Sequence, residues 1–334
     1  MEKIDFVVTW VDDSDPAWQA EKAKYSPKSA LSSSVDNRKE RYRDMGTLPY
    51  FFRGIDKFAP WVNKVYFVTC GQKPDWLNEN CEKLVLVNHS DYIPAECLPT
   101  FNSNAIEANL HEIKGLSEKF VYFNDDIFLV NPTTPEDFFK NGLPCDTFAL
   151  RALAITGKSE EGFFKKLANG IFVINKHFNF KEFLKNNWRK VLSFKQGKYW
   201  FMTVPMLPYG YFTGFHCAHL PYSYLKSTFE KVWEAEPEIL KRTQSFRFRN
   251  NRDSVNHYLC QYWQYASGQF EQRSVNFGRM IYISDKKAEQ YILGRKFKAL
   301  CIEDEYDIDN YEECRKRVLA ALDKKLPDKC QFEK

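Results

Sequence analysis

FVYFNDDIFLV, residues 120–130, runs from aromatic and β-branched residues into an amide and two adjacent carboxylates, Asn124, Asp125 and Asp126, and then back into an apolar run. A carboxylate held away from water without a partner costs several kcal/mol, so such a stretch needs a cation, a dense set of donors or an opening to solvent. Three earlier runs share its character: IDFVVTWV (4–11), KVYFVTC (64–70) and KLVLVNH (83–89). Between them apolar residues recur at helical spacing, as in Leu48, Phe51, Phe52, Ile55 and Phe58, or Ala105, Ala108 and Ile113. Strands apolar on both faces and separated by helices predict an α/β fold with a mainly parallel sheet. In such sheets ligands bind beyond the carboxyl ends of the strands. Each run here ends in polar chemistry: Asp12, Asp13 and Asp15, then Gly71-Gln72, then His89 and Asp91, then Asn124-Asp125-Asp126.

The composition suits an ordinary globular chain. Its 334 residues are 44% hydrophobic and 28% charged, and a net charge of +4 is too even for a whole-surface nucleic-acid binder. The basic excess is local, with ten Lys or Arg against three Glu over residues 158–198. That stretch reads as a solvated helix face or as a surface for anionic lipid or a phosphorylated acceptor. Nine cysteines stand singly with no CxxC pair, which argues against a disulfide framework and a zinc site. The N-terminal MEKIDFVVTWVDD lacks a basic region followed by an apolar segment, and no run approaches the length of a membrane span. The expected location is therefore cytoplasmic, with peripheral contact at the inner face of the plasma membrane through the basic stretch and the aromatic segment 199–215.

Several local motifs fail. ALAITGKS (152–159) has Ala152 where a phosphate loop needs its first glycine, and EDEYDIDN (303–310) lacks the glycine of a calcium loop. No GxGxxG or GxSxG is present. In the second half, YWFMTVPMLPYGYFTGF (199–215) reads as strand and loop. A helix is expected from Val255 to Ala266, ending at Gly268, and another after Asp309 as N-cap with Glu312 three residues on. If 120–126 is extended to its end, Asn124 and Asp126 share one side and Asp125 takes the other, an Asp-x-Asp-like arrangement for a hard divalent ion; a turn beginning at Asn124 reverses that choice. The same residues could instead simply cap the next element, as could Asp12-Asp13-Ser14-Asp15-Pro16.

Taken in order, IDFVVTWVDDSDPAW, RYRDMGTLPYFFRGIDKFAPWVNKVYFVTCGQKPDWL, FNSNAIEANLHEIKGLSEKFVYFNDDIFL and the later HLPY and FRNNRD segments resemble the four blocks of the Stealth family. That family contains bacterial capsular and exopolysaccharide hexose-1-phosphate transferases and the catalytic part of the animal GlcNAc-1-phosphotransferase. The resemblance is dense over residues 4 to about 140 and looser over about 216–268. It implies a Rossmann-like (GT-A-like) sheet flanked by helices, with helical C-terminal additions. It implies transfer of a hexose 1-phosphate from a UDP-sugar to a hydroxyl of a saccharide or lipid-linked oligosaccharide, with Mg²⁺ or Mn²⁺ as cofactor and no nucleic acid as partner. The alternatives are a metal-dependent glycosyltransferase releasing UDP and a noncatalytic carbohydrate- or nucleotide-binding protein.

Carried over by position, the resemblance makes His219, Arg249, Asp125 and Asp126 catalytic, with Asn124, Asp125 and Asp126 at the metal. Asp5, Trp10, Asp12, Asp15, Arg41, Arg43, Asp44, Asn102, Glu107, His111 and Asp253 are expected to bind substrate. His219 is the expected base for the acceptor hydroxyl, since an imidazole can take a proton near neutral pH. Two positions depart from the family pattern, Asn104 and Tyr222, and neither is assigned a proton-transfer role. A single catalytic domain over 1–334 is expected, with a nucleotide-sugar-binding half (1–150), an acceptor-side insertion (151–215), a second catalytic segment (216–280) and a helical tail (281–334).

Overall fold

The structure, a computed structural model, describes residues 2–26, 35–36, 42–154, 161–250, 252–305 and 308–334, without the side chains of residues 35, 36 and 161. Arg41 and the Gly-Lys-Ser of residues 157–159 lie outside the described residues. The longer strands used below are β1 (Ile4–Thr9), β2 (Val65–Thr69), β3 (Leu84–Asn88), β4 (Lys119–Asn124), β5 (Ile127–Leu129), β6 (Tyr222–Leu225), β7 (Gly278–Tyr282) and β8 (Ala299–Glu303). The helices are α1 (Pro16–Tyr25), α2 (Leu48–Phe58), α3 (Ser103–Ala108), α4 (Glu161–His177), α5 (Phe180–Val191), α6 (Tyr258–Ala266) and α7 (Tyr311–Lys325).

The four apolar runs form four adjacent strands of a five-stranded sheet, in the order β3-β2-β1-β4-β6. Its first four strands are parallel, and β6 joins β4 antiparallel. Phe6, Val7, Val8, Val65, Phe67, Val68 and Val121 to Phe123 are fully buried, as strands covered on both faces require. The parallel register sets Thr9 opposite Asn124, so the polar residues that follow both strands emerge at one edge of the sheet. Because β6 runs the other way, its approach, His219 to Pro221, arrives at that same edge.

Helix α2 buries Leu48, Phe51, Phe52, Ile55 and Phe58, the face its spacing predicts. A Cβ on Gly54 would stand 2.6 Å from the Leu129 carbonyl oxygen, so glycine allows α2 to lie directly on β5. The C-terminal tail returns to this helix. Phe332 packs on Phe52, and Glu333 accepts two hydrogen bonds from Arg53 at 2.7 and 2.9 Å.

Three expectations are corrected. The C-terminal region is not only helical: β7 and β8 pair parallel, and β8 pairs antiparallel with β5, which follows the acidic turn directly. Segment 199–215 is not strand and loop but a succession of short helical turns, Trp200–Thr203 and Val204–Tyr209 among them, where Pro205 and Pro208 suit one-turn pieces better than a ladder. The N-cap of α7 is Asn310 rather than Asp309. Helix α6 ends as expected, with Gly268 at φ 73°.

Residues 151–215 leave and rejoin the body at adjacent points. Leu150 bridges Phe215 antiparallel, Arg151 N–H donates to the Gly214 carbonyl at 3.0 Å and His216 N–H to that of Ala149 at 2.8 Å.

Candidate active site

The chain turns at Asp125 and Asp126 between β4 and β5, so strand alternation does not govern these side chains. The turn that reverses the Asn124–Asp126 pairing is the one observed. Its backbone is held from β8, where Ile302 N–H donates to the Asp126 carbonyl at 2.9 Å. Asp126 Oδ2 faces His219 Nε2 at 3.2 Å and accepts from the Cys301 thiol at 3.4 Å, while its Oδ1 is buried with no hydrogen-bond partner. Burial, then the charges of Asp126 and Asp44, push the Asp125 carboxyl up to about 8. Burial and the charges of Asp12 and Asp13 likewise raise Asp44, against the Gly46 N–H it accepts at 2.8 Å and the charge of Arg315. Five carboxylates from the ends of β1 and β4 and from the loop before α2 thus act on one another.

His219 sits at φ 45°, a left-handed conformation uncommon outside glycine, held where the chain enters β6. Its Nδ1 faces the Tyr222 hydroxyl at 3.1 Å, which in turn meets the Tyr258 hydroxyl of α6 at 2.7 Å. Burial is the largest influence on the ring and opposes its charge. The charge and hydrogen bond of Asp126, with Glu303 and Glu107, outweigh it, so the imidazole pKa lies above its ordinary value. Behind it, the buried pair Asp146 and Arg273 supports the loop, with Arg273 donating to the Pro221 carbonyl at 3.0 Å.

Other expected residues fall near this centre. Arg249 lies in a two-residue ladder with residues 35–36, and its positive charge acts on both Asp125 and Glu107. Glu107 is buried, with Oε1 3.4 Å from the Tyr122 hydroxyl and Oε2 without a partner. Burial raises its pKa, and Arg249 and Lys166 counter that. Asp12 closes a tight turn, its Oδ1 accepting from the Ser14 N–H at 2.9 Å and hydroxyl at 2.6 Å. Asp253 is exposed in the turn after Arg249, its N–H donating to Asn250 Oδ1 at 3.0 Å.

The structure moves the rest elsewhere. Asp5 is at the start of β1, the opposite edge, fully buried and accepting from Asn63 Nδ2 (2.6 Å), Lys64 N–H (3.1 Å) and Ser117 N–H (2.8 Å). It is a structural residue and not a substrate ligand. Trp10 is a core residue packed on Phe67, with only its indole N–H lacking a partner. Asp15 caps α1, accepting from Ala17 N–H at 2.8 Å, and Gln72 holds its other oxygen and lowers its pKa. Asn102 is fully buried, capping α3 and donating to the Phe246 carbonyl at 2.9 Å, so it fastens two segments together. His111 stacks on Phe229 and lines a separate cavity with Asp91, Asn109, Trp233 and Gln244. Arg43 is taken by a bidentate pair with Asp304, both contacts 2.7 Å, and lies over the Tyr311 ring. It is therefore not poised as a phosphate clamp.

Cys301, Glu303, Tyr222 and Tyr258 were not anticipated at the site. The apolar run ALCI (299–302), immediately before the acidic segment 303–310, was the available signal for β8.

The donor set tests the expected cation. Asp126, His219 and Cys301 bring ligand atoms within 4.8 Å of one another, the only such trio among the described residues. Burial and Asp126 hold the Cys301 thiol well above its ordinary pKa, which keeps it a poor ligand. The turn carboxylates, with the unpartnered Asp126 Oδ1 and a raised Asp125, fit a hard divalent ion better.

Residues 2–30 match the model of Stealth protein conserved region 1, and residues 41–145 that of conserved region 2. The chain is 42% identical over 336 residues to the capsular polysaccharide phosphotransferase WcwK of Streptococcus pneumoniae, covering 100% of this chain and 99% of that one. It is 43% identical to the receptor polysaccharide phosphotransferase WefC of Streptococcus oralis, with both chains covered in full, and 38% identical to the exopolysaccharide phosphotransferase cps2G of Lactiplantibacillus plantarum, over 99% and 96% of the two chains. A galactosyltransferase LgtC structure superposes over 95% of both chains at a TM-score of 0.40 and 8% identity, too loosely to place residues. Relatedness that runs end to end, through the blocks that carry the acidic turns, places the chain in the Stealth family.

Proposed function

We propose that the chain transfers a hexose 1-phosphate from a UDP-sugar to a hydroxyl of an acceptor saccharide, in capsule or exopolysaccharide synthesis. It is a phosphotransferase of polysaccharide synthesis, as its full-length relatives are named. The observation that carries the finer reading is the His219–Asp126 pair beside four further carboxylates and the charge of Arg249, all at the carboxyl edge of the sheet. In the reaction the acceptor oxygen attacks the phosphorus nearer the sugar. The bond from that phosphorus to the bridging oxygen breaks, and UMP leaves with both electrons.

Asp125 and Asp126 are the residues that would hold Mg²⁺ or Mn²⁺. When bound there, such an ion supplies charge neutralisation for the pyrophosphate oxygens. Arg249 adds positive charge on the same side. His219 takes the acceptor proton on Nε2 from the tautomer whose proton stands on Nδ1 and is donated to the Tyr222 hydroxyl, with Nε2 exchanging its 3.2 Å contact with Asp126 for the acceptor hydroxyl. Nδ1 keeps the Tyr222 hydroxyl and so the ring keeps its orientation. Asp126 then faces the imidazolium that forms and stabilises it.

The test is a product analysis. The purified chain is incubated with a panel of UDP-sugars, an acceptor oligosaccharide and Mg²⁺ or Mn²⁺, and the released nucleotide is identified. UMP is expected, whereas UDP in its place would mean attack at the anomeric carbon and would overturn the reading.

A further inference from the structure

The excursion between residues 151 and 215 carries an unusual outer surface. Phe194 is 87% exposed, Phe201 76%, Phe172 74% and Tyr211 71%, and Trp188 and Tyr209 are also open to solvent. Large side chains scattered singly need no explanation, but these crowd into forty residues of a chain that buries most of its aromatics. They belong to one connected part of the fold. Asn175 of α4 exchanges hydrogen bonds with the Phe212 backbone at 2.9 Å, and Phe194 stacks toward Trp200, which meets Phe201 edge-on. Gly210 lies against the Lys181 side chain at the start of α5.

Cations are interleaved with these rings. Residues 181–211 hold six Lys or Arg and a single acid, Glu182. Lys181 and Lys185, one helical turn apart, and Arg189, Lys195 and Lys198 are exposed. Lys198 lies over the Tyr199 ring and Arg189 beside Trp188. A protein partner would have to supply both a large apolar socket and a matching acidic rim. A bilayer with anionic headgroups supplies both at once: aromatic rings settle at the level of the headgroups, and each nearby cation adds attraction to the surface charge. Among the described residues no helix is long and apolar enough to cross a membrane, so contact of this kind is peripheral.

We infer that the outer face of residues 172–211, led by Phe194, Phe201 and Tyr211 with Lys181, Lys185 and Lys198, docks the protein on an anionic membrane surface. Docking does not depend on the transfer reaction proposed above. If the reaction is as proposed, the surface brings the site to acceptors that are themselves held at a bilayer, because the excursion rejoins the body at His216, three residues before His219.

The experiment is flotation of the full chain with phosphatidylcholine vesicles, with and without phosphatidylglycerol, at low and high salt. The wild type is expected to float with the anionic vesicles at low salt only. F194S/F201S and K181E/K185E/K198E are each expected to bind roughly tenfold more weakly or worse, the scale set by removing a few such contacts. Their melting temperature, and their nucleotide release with a soluble acceptor, should match the wild type; a variant that unfolds is replaced by F194Q/F201Q or the triple Lys→Gln form. Equal binding to neutral vesicles, no binding at low salt, or undiminished binding by both variants overturns the proposal. So does vesicle-independent self-association that F194S/F201S abolishes, which makes the face a contact between copies. Loss of flotation with intact UMP release, or the reverse, separates this inference from the proposed reaction.

Discussion

The two edges of the central sheet each hold buried carboxylates, and they are treated in opposite ways. At the amino edge Asp5 is enclosed by Asn63, Lys64 and Ser117, three donors that take up its charge. At the carboxyl edge, roughly 13 Å away along β1, the charges of Asp126 and Asp44 add to burial in raising Asp125, those of Asp12 and Asp13 do the same for Asp44, and Asp126 leaves an oxygen unpartnered. The first arrangement is complete and the second is a standing demand for positive charge. Burial alone does not separate structural from functional carboxylates here; the account of their donors does.

The sharpest way to break this contrast is to remove groups from each edge. Asp126→Ala and His219→Ala are expected to lower turnover by about a thousandfold, about 4 kcal/mol in the barrier, with little loss of stability in urea titrations. Comparable turnover in either variant sinks the assignment. Asp5→Ala should do the reverse. Three donors lose a buried acceptor, so the unfolding free energy should fall by about 3 kcal/mol or more, while the folded fraction keeps its turnover per molecule.

A pH series sharpens the same contrast. With a folded pKa of about 8 against a usual 3.8, Asp125 holds more proton in the folded chain than in the unfolded one between those values. Its contribution to stability is therefore full below the unfolded value and is lost as pH rises through about 8. Thermal melts of metal-free protein should show this loss between about pH 4 and 8, levelling off above, and Asp125→Asn should flatten it. The melting increase produced by Mn²⁺ should grow over the same range, since metal and proton compete for one carboxylate. The smallest effect belongs to Asp15→Ala, which removes a helix cap at about 1 kcal/mol and should leave turnover unchanged.

Much of the sheet was legible because its strands are apolar on both faces and end in polar turns. Parallel order, the carboxyl-edge site and the α2 face all followed from that patterning. The site was harder to read where sequence position and space part company. Asp5 and Asp15 sit in the same block as Asp12, yet one is a buried brace and the other a cap. Arg43 met Asp304, 261 residues later, a pairing that no local pattern announces. Strand β8 was hidden because its apolar run is short and merges into an acidic segment, so Cys301 and Glu303 went unseen beside His219. Tyr222, a departure from the family pattern, has its hydroxyl 3.1 Å from His219 Nδ1.

The closed neck of the excursion has one more consequence. Leu150 to Arg151 and Gly214 to His216 zip the two ends together with their own backbone hydrogen bonds. The described residues between them contribute no strand to the central sheet. The segment is thus separable from the sheet but not from the site, since Lys166 acts on Glu107 and Asn169 donates to the Arg252 and Ser254 carbonyls just beyond Arg249. A graft of the corresponding segment from a 42% identical relative, cut at this neck, is the construction that tests whether acceptor choice travels with it.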